Sequence, residues 1–342
     1  MSHDESPVAA SGWPPEDLEP VANCPFCAAS ERSLAFADVE DWIFRCAPGK
    51  WNYWKCKGCG ALYLDPRPTE ASIGRAYARY YTHDPAAGGT LIAQVKTLLR
   101  NTCYLAWYDL DLKPRLPLPR FMQPLLATLR RRVADPSFIL LVLNRLPRGR
   151  LMDVGCGNGG NLAAARQLGW TAQGLEFDPQ AVATARAAGL DVLQGDYRCL
   201  DKFQGAFDCL ICTDVIEHVH APHALLHAIH AALKPDGVAL ISLPNADSSV
   251  LEAVGANWRG LEAPRHLAIP TARTMRALFE AQGFAVEAAP VSSLVTLEAS
   301  LVIAQRRGLD LQSAAERLRR TVGIVDWTRS DFINLVLRKV TK

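Results

Sequence analysis

From about residue 149 onward, short apolar runs are separated by helical segments. The runs predict strands at Leu151–Val154, Thr171–Leu175, Asp191–Gln194, Phe207–Thr213, Val238–Leu243, Phe284–Ala288 and Phe332–Arg338. Such alternation is the signature of a parallel α/β sheet. The run Phe207-Asp208-Cys209-Leu210-Ile211-Cys212 is nearly all apolar, as expected of a strand covered on both faces.

Upstream the pattern changes. Leu91, Val95, Leu98, Leu99, Thr102 and Leu105 recur at helical spacing, and so do Met122, Leu125, Leu126, Leu129 and Val133. Asp135-Pro136 reads as an N-cap followed by a first-turn proline, opening a helix that runs to about Leu146. Residues 69–148 are therefore expected to be helical, and 149–342 to form the α/β domain. Residues 21–68 carry four paired cysteines and several aromatics and close on Asp65-Pro66-Arg67-Pro68, a turn signal. Residues 1–20 are polar, acidic and proline-rich and read as a disordered tail.

Composition narrows the class. An apolar fraction of 49% and a charged fraction of 21% are ordinary for a globular protein. A net charge of +2 gives no sign of a nucleic-acid-binding surface, so no nucleic-acid partner is expected. The longest apolar run, Phe138 to Leu143, falls far short of the ~18 residues a spanning helix needs. No export signal is visible, and ten cysteines in such a chain lead to the expectation of a reducing cytoplasm, where cysteines bind metal or pack.

The chemistry begins after the first strand of the α/β region. Gly155, Gly157 and Gly160 satisfy G-x-G-x-x-G between a strand and a helix, a pattern that dinucleotide enzymes share. Neighbouring acids discriminate. Asp153, just before the loop, would repel a pyrophosphate but can accept hydrogen bonds from an amino group. Glu176 ends the next strand, where an acid can take both ribose hydroxyls. Asp196 follows the third strand beside Tyr197, where a carboxylate can accept from an adenine amino group next to a stacking ring. A ligand with an amino group, a ribose and an adenine but no phosphate is S-adenosylmethionine.

The stretches Asp153-Val154-Gly155-Cys156-Gly157-Asn158-Gly159, Gly174-Leu175-Glu176-Phe177-Asp178-Pro179, Gly195-Asp196, Phe207-Asp208, Asp214-Val215-Ile216-Glu217-His218-Val219 and Leu233-Lys234-Pro235-Asp236-Gly237 follow one another in an order that resembles class I S-adenosylmethionine-dependent methyltransferases. The resemblance covers roughly residues 149–290. It implies a Rossmann-like seven-stranded sheet whose last strand, supplied by Phe332 to Arg338, is antiparallel. It also implies that Cys156, Asn158, Phe177, Thr213 and Asp214 join Asp153, Gly155, Gly157, Glu176, Asp196 and Tyr197 in lining the cofactor. A long helical insertion at about 291–331 departs from the family pattern.

Cys24-Pro25-Phe26-Cys27 and Cys56-Lys57-Gly58-Cys59 are two C-x-x-C knuckles. Four thiolates so paired suit a tetrahedral Zn²⁺ with no open position, hence a structural zinc ribbon whose metal supplies much of its folding free energy. The ribbon leads into Leu62-Tyr63-Leu64-Asp65-Pro66-Arg67-Pro68 and Tyr77-Ala78-Arg79-Tyr80-Tyr81. With the later Asn257-Trp258-Arg259-Gly260-Leu261-Glu262-Ala263-Pro264-Arg265-His266-Leu267, this front end is similar to a bacterial methyltransferase group associated with sugar-nucleotide, glycan and secondary-metabolite pathways. That resemblance implies a small-molecule or carbohydrate acceptor, with residues 69–148 as a linker or lid over it.

An oxygen or carbon acceptor needs a group to take its proton. His266 is the expected base and His218 the second candidate, since they follow the fifth and fourth strands, where an open α/β sheet places its ligand crevice. Trp258, Arg259 and Arg265 beside His266 suit a polar, anionic substrate; the plainer role for His266 is to pin its loop. Asp214, Glu217 and His218 also resemble the acidic-histidine cluster with which some quinone O-methyltransferases hold a divalent metal, although many metal-free relatives carry it. His220, His223, His227 and His230 read as packed or solvated helix positions rather than a metal tract. Arg130-Arg131-Arg132 reads as a solvated face, with contact to a lipid-linked substrate as the alternative. The sequence thus leads to methyl transfer to oxygen or carbon of a sugar, glycan or small metabolite. The alternatives are a quinone- or polyketide-type phenol acceptor, or a protein that senses the cofactor without turnover.

Overall fold

The structure, a computed structural model, describes residues 12–78, 91–118, 126, 133–289, 296–308 and 326–340. In chain order the first strands are β1 (Leu18–Glu19), β2 (Arg32–Val39), β3 (Trp51–Cys56), β4 (Leu62–Leu64) and β5 (Arg67–Pro68). Helices α1 (Leu91–Tyr108) and α2 (Phe138–Arg145) follow. Then come β6 (Arg150–Val154), α3 (Gly160–Gln167), β7 (Thr171–Glu176), α4 (Pro179–Ala187), β8 (Val192–Gln194), β9 (Phe207–Thr213), α5 (Pro222–Ala232) and β10 (Leu233–Pro244). The last elements are α6 (Ser249–Val254), β11 (Ala268–Ile269), α7 (Ala272–Ala281), β12 (Phe284–Ala288), α8 (Leu297–Arg306) and β13 (Phe332–Lys339).

Seven strands form one sheet in the order β12-β13-β10-β9-β6-β7-β8. Pairings β6–β7, β6–β9 and β7–β8 are parallel. All seven strands expected from the apolar runs are present, because each run is long enough to bury a strand and short of a buried helix. The largest departure is β10, which begins at Leu233 rather than Val238; Asp236 adopts a left-handed φ of 60° within it.

The chain divides into two compact units. One comprises residues 1–80, 214–227 and 241–335. Within it β11, β4, β3 and β2 pair in that order, with Ala268 opposite Tyr63 and Tyr53 opposite Leu64. Its core gathers Trp51, Tyr53, Leu62 and Leu64 with Val250, Trp258, Leu261 and Leu267. The segment expected as a ribbon therefore shares a sheet and a core with residues far along the chain. Forty-odd residues cannot enclose their own apolar face, so these strands bury it against the 250–269 stretch.

The other unit comprises residues 81–213, 228–240 and 336–342. Here the β6–β9 core is held at its edges by Asp208, which accepts from Arg150 N at 2.8 Å and pairs with Lys234 Nζ at 2.8 Å. Helix α1 forms where the periodicity placed it, but Leu91, Val95 and Leu99 are exposed. Its buried residues are Asn101 to Tyr104, where Asn101 Nδ2 donates to Pro114 O (3.1 Å) and Tyr104 Oη to Ala134 O (3.0 Å). Helix α2 begins later than expected. Its N-cap is Ser137, which accepts from Leu140 N, while Asp135 is taken by the Tyr108 hydroxyl.

At the N-terminus, the described part of the expected disordered tail is ordered. Trp13 is buried and Leu18–Glu19 pair with Arg67–Pro68, since one large aromatic ring supplies the apolar area that the polar composition concealed. Most of the second helical stripe, Met122 to Leu129, and Arg130-Arg131-Arg132 lie outside the described residues, as does much of the 291–331 insertion. No described helix is long and apolar enough to cross a membrane.

Candidate functional site

The glycine loop lies between β6 and α3. Gly155, Gly157 and Gly159 have φ of 71°, 53° and 88°, a left-handed region that side chains other than glycine rarely enter. The turn is tied to the end of β7: Gly155 N donates to Leu175 O (2.7 Å) and Gly157 N to Glu176 Oε2 (2.8 Å). Gly174 permits the close approach, because a Cβ there would stand 2.5 Å from Cys156 Sγ. Glu176 also accepts from Asp178 N (2.9 Å) through Oε1. Burial raises its pKa, and these backbone donors pull it partly back.

Asp153 is the anomaly of this loop. It is 1% exposed, and neither carboxylate oxygen meets a hydrogen-bond partner among the described residues. Burial first, and the Glu176 charge second, push its pKa up to about 8. A buried carboxyl without a donor is costly and fits a site that receives a cationic or hydrogen-bond-donating ligand. Positive-φ glycines beside it offer backbone at close range. These residues suit the amino-acid end of S-adenosylmethionine.

The remaining residues of the expected cofactor set are more open. Cys156 is buried, Asn158 and Tyr197 are half-buried and Phe177 is 49% exposed. Asp196 caps the turn Tyr197–Lys202 by accepting from Arg198 N, and Arg198 also engages its carboxylate, which lowers its pKa. An adenine amino group would have to share Asp196 with that guanidinium. Thr213 is half-buried at the end of β9, and Asp214 is exposed with φ 55°.

The 1–80, 214–227 and 241–335 unit assembles a second constellation. His218 Nδ1 lies 2.9 Å from Arg265 O and 2.9 Å from Tyr77 Oη. His266 Nδ1 lies 2.6 Å from Gly260 O. A carbonyl only accepts, so both Nδ1 atoms carry the proton and both Nε2 atoms present a lone pair. The rings meet edge to face with centroids 4.6 Å apart. Both Nε2 atoms lie 4.0 Å from Glu217 Oε1, and His266 Nε2 is 3.6 Å from Glu262 Oε2. Burial pulls the His218 pKa down to about 4 and the His266 pKa to about 3, so both imidazoles are neutral at pH 7. Glu217 is fully buried, its oxygens meet no hydrogen-bond donor among the described residues, and burial raises its pKa well above the usual range.

A buried ion network that composition alone does not reveal holds this loop. Arg265, fully buried, bonds Asp41 through Nη2 (2.5 Å) and Nη1 (3.1 Å), and Glu262 through Nε (3.0 Å). Burial raises the pKa of Glu262, but the positive groups around it, His266 when protonated and Arg259 and Arg265 always, bring it down to about 2. Tyr53 Oη donates to His266 O (2.7 Å) and Trp258 Nε1 to Asp331 Oδ1 (2.8 Å). Arg265 is thus spent internally, and Trp258 is 1% exposed. The expectation that these two serve an anionic substrate is overturned, because the guanidinium already faces two carboxylates and the indole is walled in. Asp41 was missed. Its partner is more than two hundred residues away, and no local pattern marks it.

His220, half-buried, donates from Nε2 to Pro68 O (2.9 Å) and the exposed His223 from Nε2 to Phe26 O (2.9 Å), one packed and one solvated position, in line with the plainer expectation. The four knuckle cysteines bring their sulfurs within 4.8 Å of one another. Cys24 Sγ lies 3.6 Å from Cys59 Sγ, and Cys27 Sγ lies 3.5 Å from Cys56 Sγ. Bonds of about 2.3 Å to a tetrahedral Zn²⁺ would set sulfurs about 3.8 Å apart, so the cluster fits that ion. The knuckle backbones match: Cys24 N donates to Ala29 O and Cys56 N to Ala61 O, each at 2.9 Å. A hydrogen bond from Cys24 is the main cause that pulls Cys59 down to about 5, which favours one thiolate before any ion arrives.

Residues 120–289 match the model of a family described as a methyltransferase domain. Among curated proteins, the ubiquinone biosynthesis O-methyltransferase of Xanthomonas campestris pv. campestris (strain B100) is 32% identical over 161 residues, 44% of this chain and 62% of that protein. Its namesake from Xanthomonas oryzae pv. oryzae (strain PXO99A) is 33% identical over 129 residues, 35% of this chain and 54% of that protein. The chain thus spans less than two thirds of the length of these relatives. A solved S-adenosylmethionine-dependent methyltransferase from Mesorhizobium loti is 22% identical, covers 60% of this chain and 99% of its own, and superposes with a TM-score of 0.41.

Proposed function

We propose that this chain is a S-adenosylmethionine-dependent methyltransferase acting on oxygen or carbon of a small-molecule acceptor. The observation that carries the reading is Asp153, a buried carboxyl with no donor beside a glycine turn that Glu176 ties down. Bound there, S-adenosylmethionine supplies a methyl group on a positively charged sulfur. Asp153 takes the ligand's amino group, Glu176 the ribose hydroxyls, and Asp196 with Tyr197 the adenine. Gly155, Cys156, Gly157, Asn158, Phe177 and Thr213 complete the pocket. The match of residues 120–289 to a methyltransferase domain supports the same conclusion.

At the acceptor, His266 and His218 are the catalytic residues. Their Nε2 lone pairs, fixed by hydrogen bonds from Nδ1 to Gly260 O and Arg265 O, are the groups available to draw off an acceptor's proton. The names of the curated relatives favour a phenolic oxygen over a sugar. The cysteine cluster holds a structural Zn²⁺ that braces β3 and β4.

The test is formation of S-adenosylhomocysteine with a panel of phenolic and carbohydrate acceptors. Replacing His266 by alanine should cut turnover at least tenfold, within the range of general-base effects, and leave cofactor affinity within about twofold. Unchanged turnover removes His266 from catalysis. No product with any acceptor favours a cofactor-sensing protein.

A further inference from the structure

Among the described residues eight large apolar side chains are exposed, and four of them, Leu91, Ile92, Val95 and Leu99, stand at the start of α1. Single exposed apolar residues are ordinary, but a cluster on one short stretch marks a surface that something covers. At about 100° of turn per residue the four fall within roughly 100° of the helix circumference, so they make one continuous stripe. Their exposures are 76%, 68%, 45% and 38%, falling toward the anchored end of the helix. None of residues 91–100 is buried. Burial begins at Asn101, where the bonds of Asn101 to Pro114 O and Tyr104 to Ala134 O hold the second half of the helix.

Charge narrows what can cover the stripe. Lys96 and Arg100 border it on the side of Ile92 and Leu99, and the helix carries no acid. Neither cation meets a carboxylate among the described residues. Arg100 bonds within its own helix, through Nε to Asn101 Oδ1 (3.4 Å) and over the Tyr104 ring. A second copy of α1 would bring the same two cations and no acid, so the borders would repel. Four side chains also fall well short of the ~800 Å² per partner that a stable protein interface buries.

We propose that the first half of α1 docks on an anionic lipid surface, with Leu91, Ile92, Val95 and Leu99 entering the bilayer and Lys96 and Arg100 at the level of the phosphates. The stripe runs about 12 Å along the helix, which suits lying in the interface plane. Spanning is excluded for α1, because no described helix is long and apolar enough to cross. Long basic side chains beside an apolar stripe can lay their stems on the lipid and keep their charges at the headgroups. Docking concentrates the protein at a membrane whichever acceptor it methylates, so it is independent of the proposed methyl transfer.

The test is flotation of the full chain with vesicles, without cofactor or acceptor. Vesicles of phosphatidylcholine with about a third phosphatidylglycerol are compared with phosphatidylcholine alone. Wild type should bind the anionic vesicles at least about tenfold more tightly than the neutral ones, and should be released as salt rises from about 0.1 M to about 0.5 M. Leu91→Ser with Val95→Ser should weaken binding at least about tenfold, and Lys96→Gln and Arg100→Gln about fivefold each. Unchanged circular dichroism and melting temperature report that these exposed substitutions leave the fold intact. Absence of binding, equal binding to neutral and anionic vesicles, or binding untouched by the paired serine substitutions or by loss of both cations overturns the proposal. A dimer in sedimentation that the paired serine substitutions dissolve overturns it too, since the stripe then belongs to a second copy.

Discussion

Replacing Asp153 by asparagine should do two opposite things. In the folded chain the carboxyl is buried and its pKa lies near 8, while in the unfolded chain it returns to 3.8. A raised folded pKa means that the fold favours the protonated form. The group is therefore harmless below pH 3.8 and increasingly destabilising as pH rises toward 8. Each pH unit in that window costs about 1.4 kcal/mol, so at pH 7 the burden is on the order of 4 kcal/mol. Asparagine has the same shape and no charge to lose. Without cofactor, Asp153→Asn should raise the melting temperature at pH 7 by at least about 4 °C, and the gain should vanish near pH 4. Cofactor binding should weaken by about ten- to a hundredfold, the loss of ~1.5–3 kcal/mol for a hydrogen bond to a charged group. Differential scanning calorimetry at pH 4 and pH 7, with and without S-adenosylmethionine, reads both effects. A variant less stable than wild type at pH 7, or one that binds the cofactor equally well, would refute the assignment of Asp153 as a carboxyl held ready for the ligand.

Three further outcomes follow from the same geometry. Gly174→Ala puts a methyl 2.5 Å from Cys156 Sγ, so it should cost about 1–3 kcal/mol and loosen cofactor binding, both visible in a thermal-shift titration. Asp41→Asn removes one partner of the fully buried Arg265 and should destabilise the protein by about 3–5 kcal/mol in urea unfolding; a loss below ~1 kcal/mol would show that the network is not buried as described. Cys56→Ser should abolish one equivalent of tightly held zinc by elemental analysis and increase amide exchange in β3 and β4, and retention of both metal and protection would dismiss the ribbon.

Much of the α/β architecture was legible from residue types. Each of the seven sheet strands is a local apolar run, and local runs are what a linear pattern can record. The glycine loop with Asp153 and Glu176 was equally visible, because positive-φ turns and strand-end acids are short-range features. The C-x-x-C knuckles were legible for the same reason. Burial, by contrast, had to be computed by the fold. The stripe Leu91, Val95 and Leu99 reads as a buried face and is exposed, while Trp13 sits in a stretch that reads as disordered and is buried. Hydrogen-bond accounting was also invisible. Arg265 looked available to a substrate until Asp41 and Glu262 were found to claim it. Likewise, nothing in Glu217-His218 or in Arg265-His266 says which ring nitrogen carries the proton. Two backbone carbonyls decide it, and they are brought to the rings only by the tertiary fold. The sequence by itself determined which strands exist and which donor the glycine loop suits, since those depend on neighbours a few residues apart. Only the tertiary structure decided which polar groups are left unpartnered, since that depends on residues far apart in the chain sharing one water-excluded space.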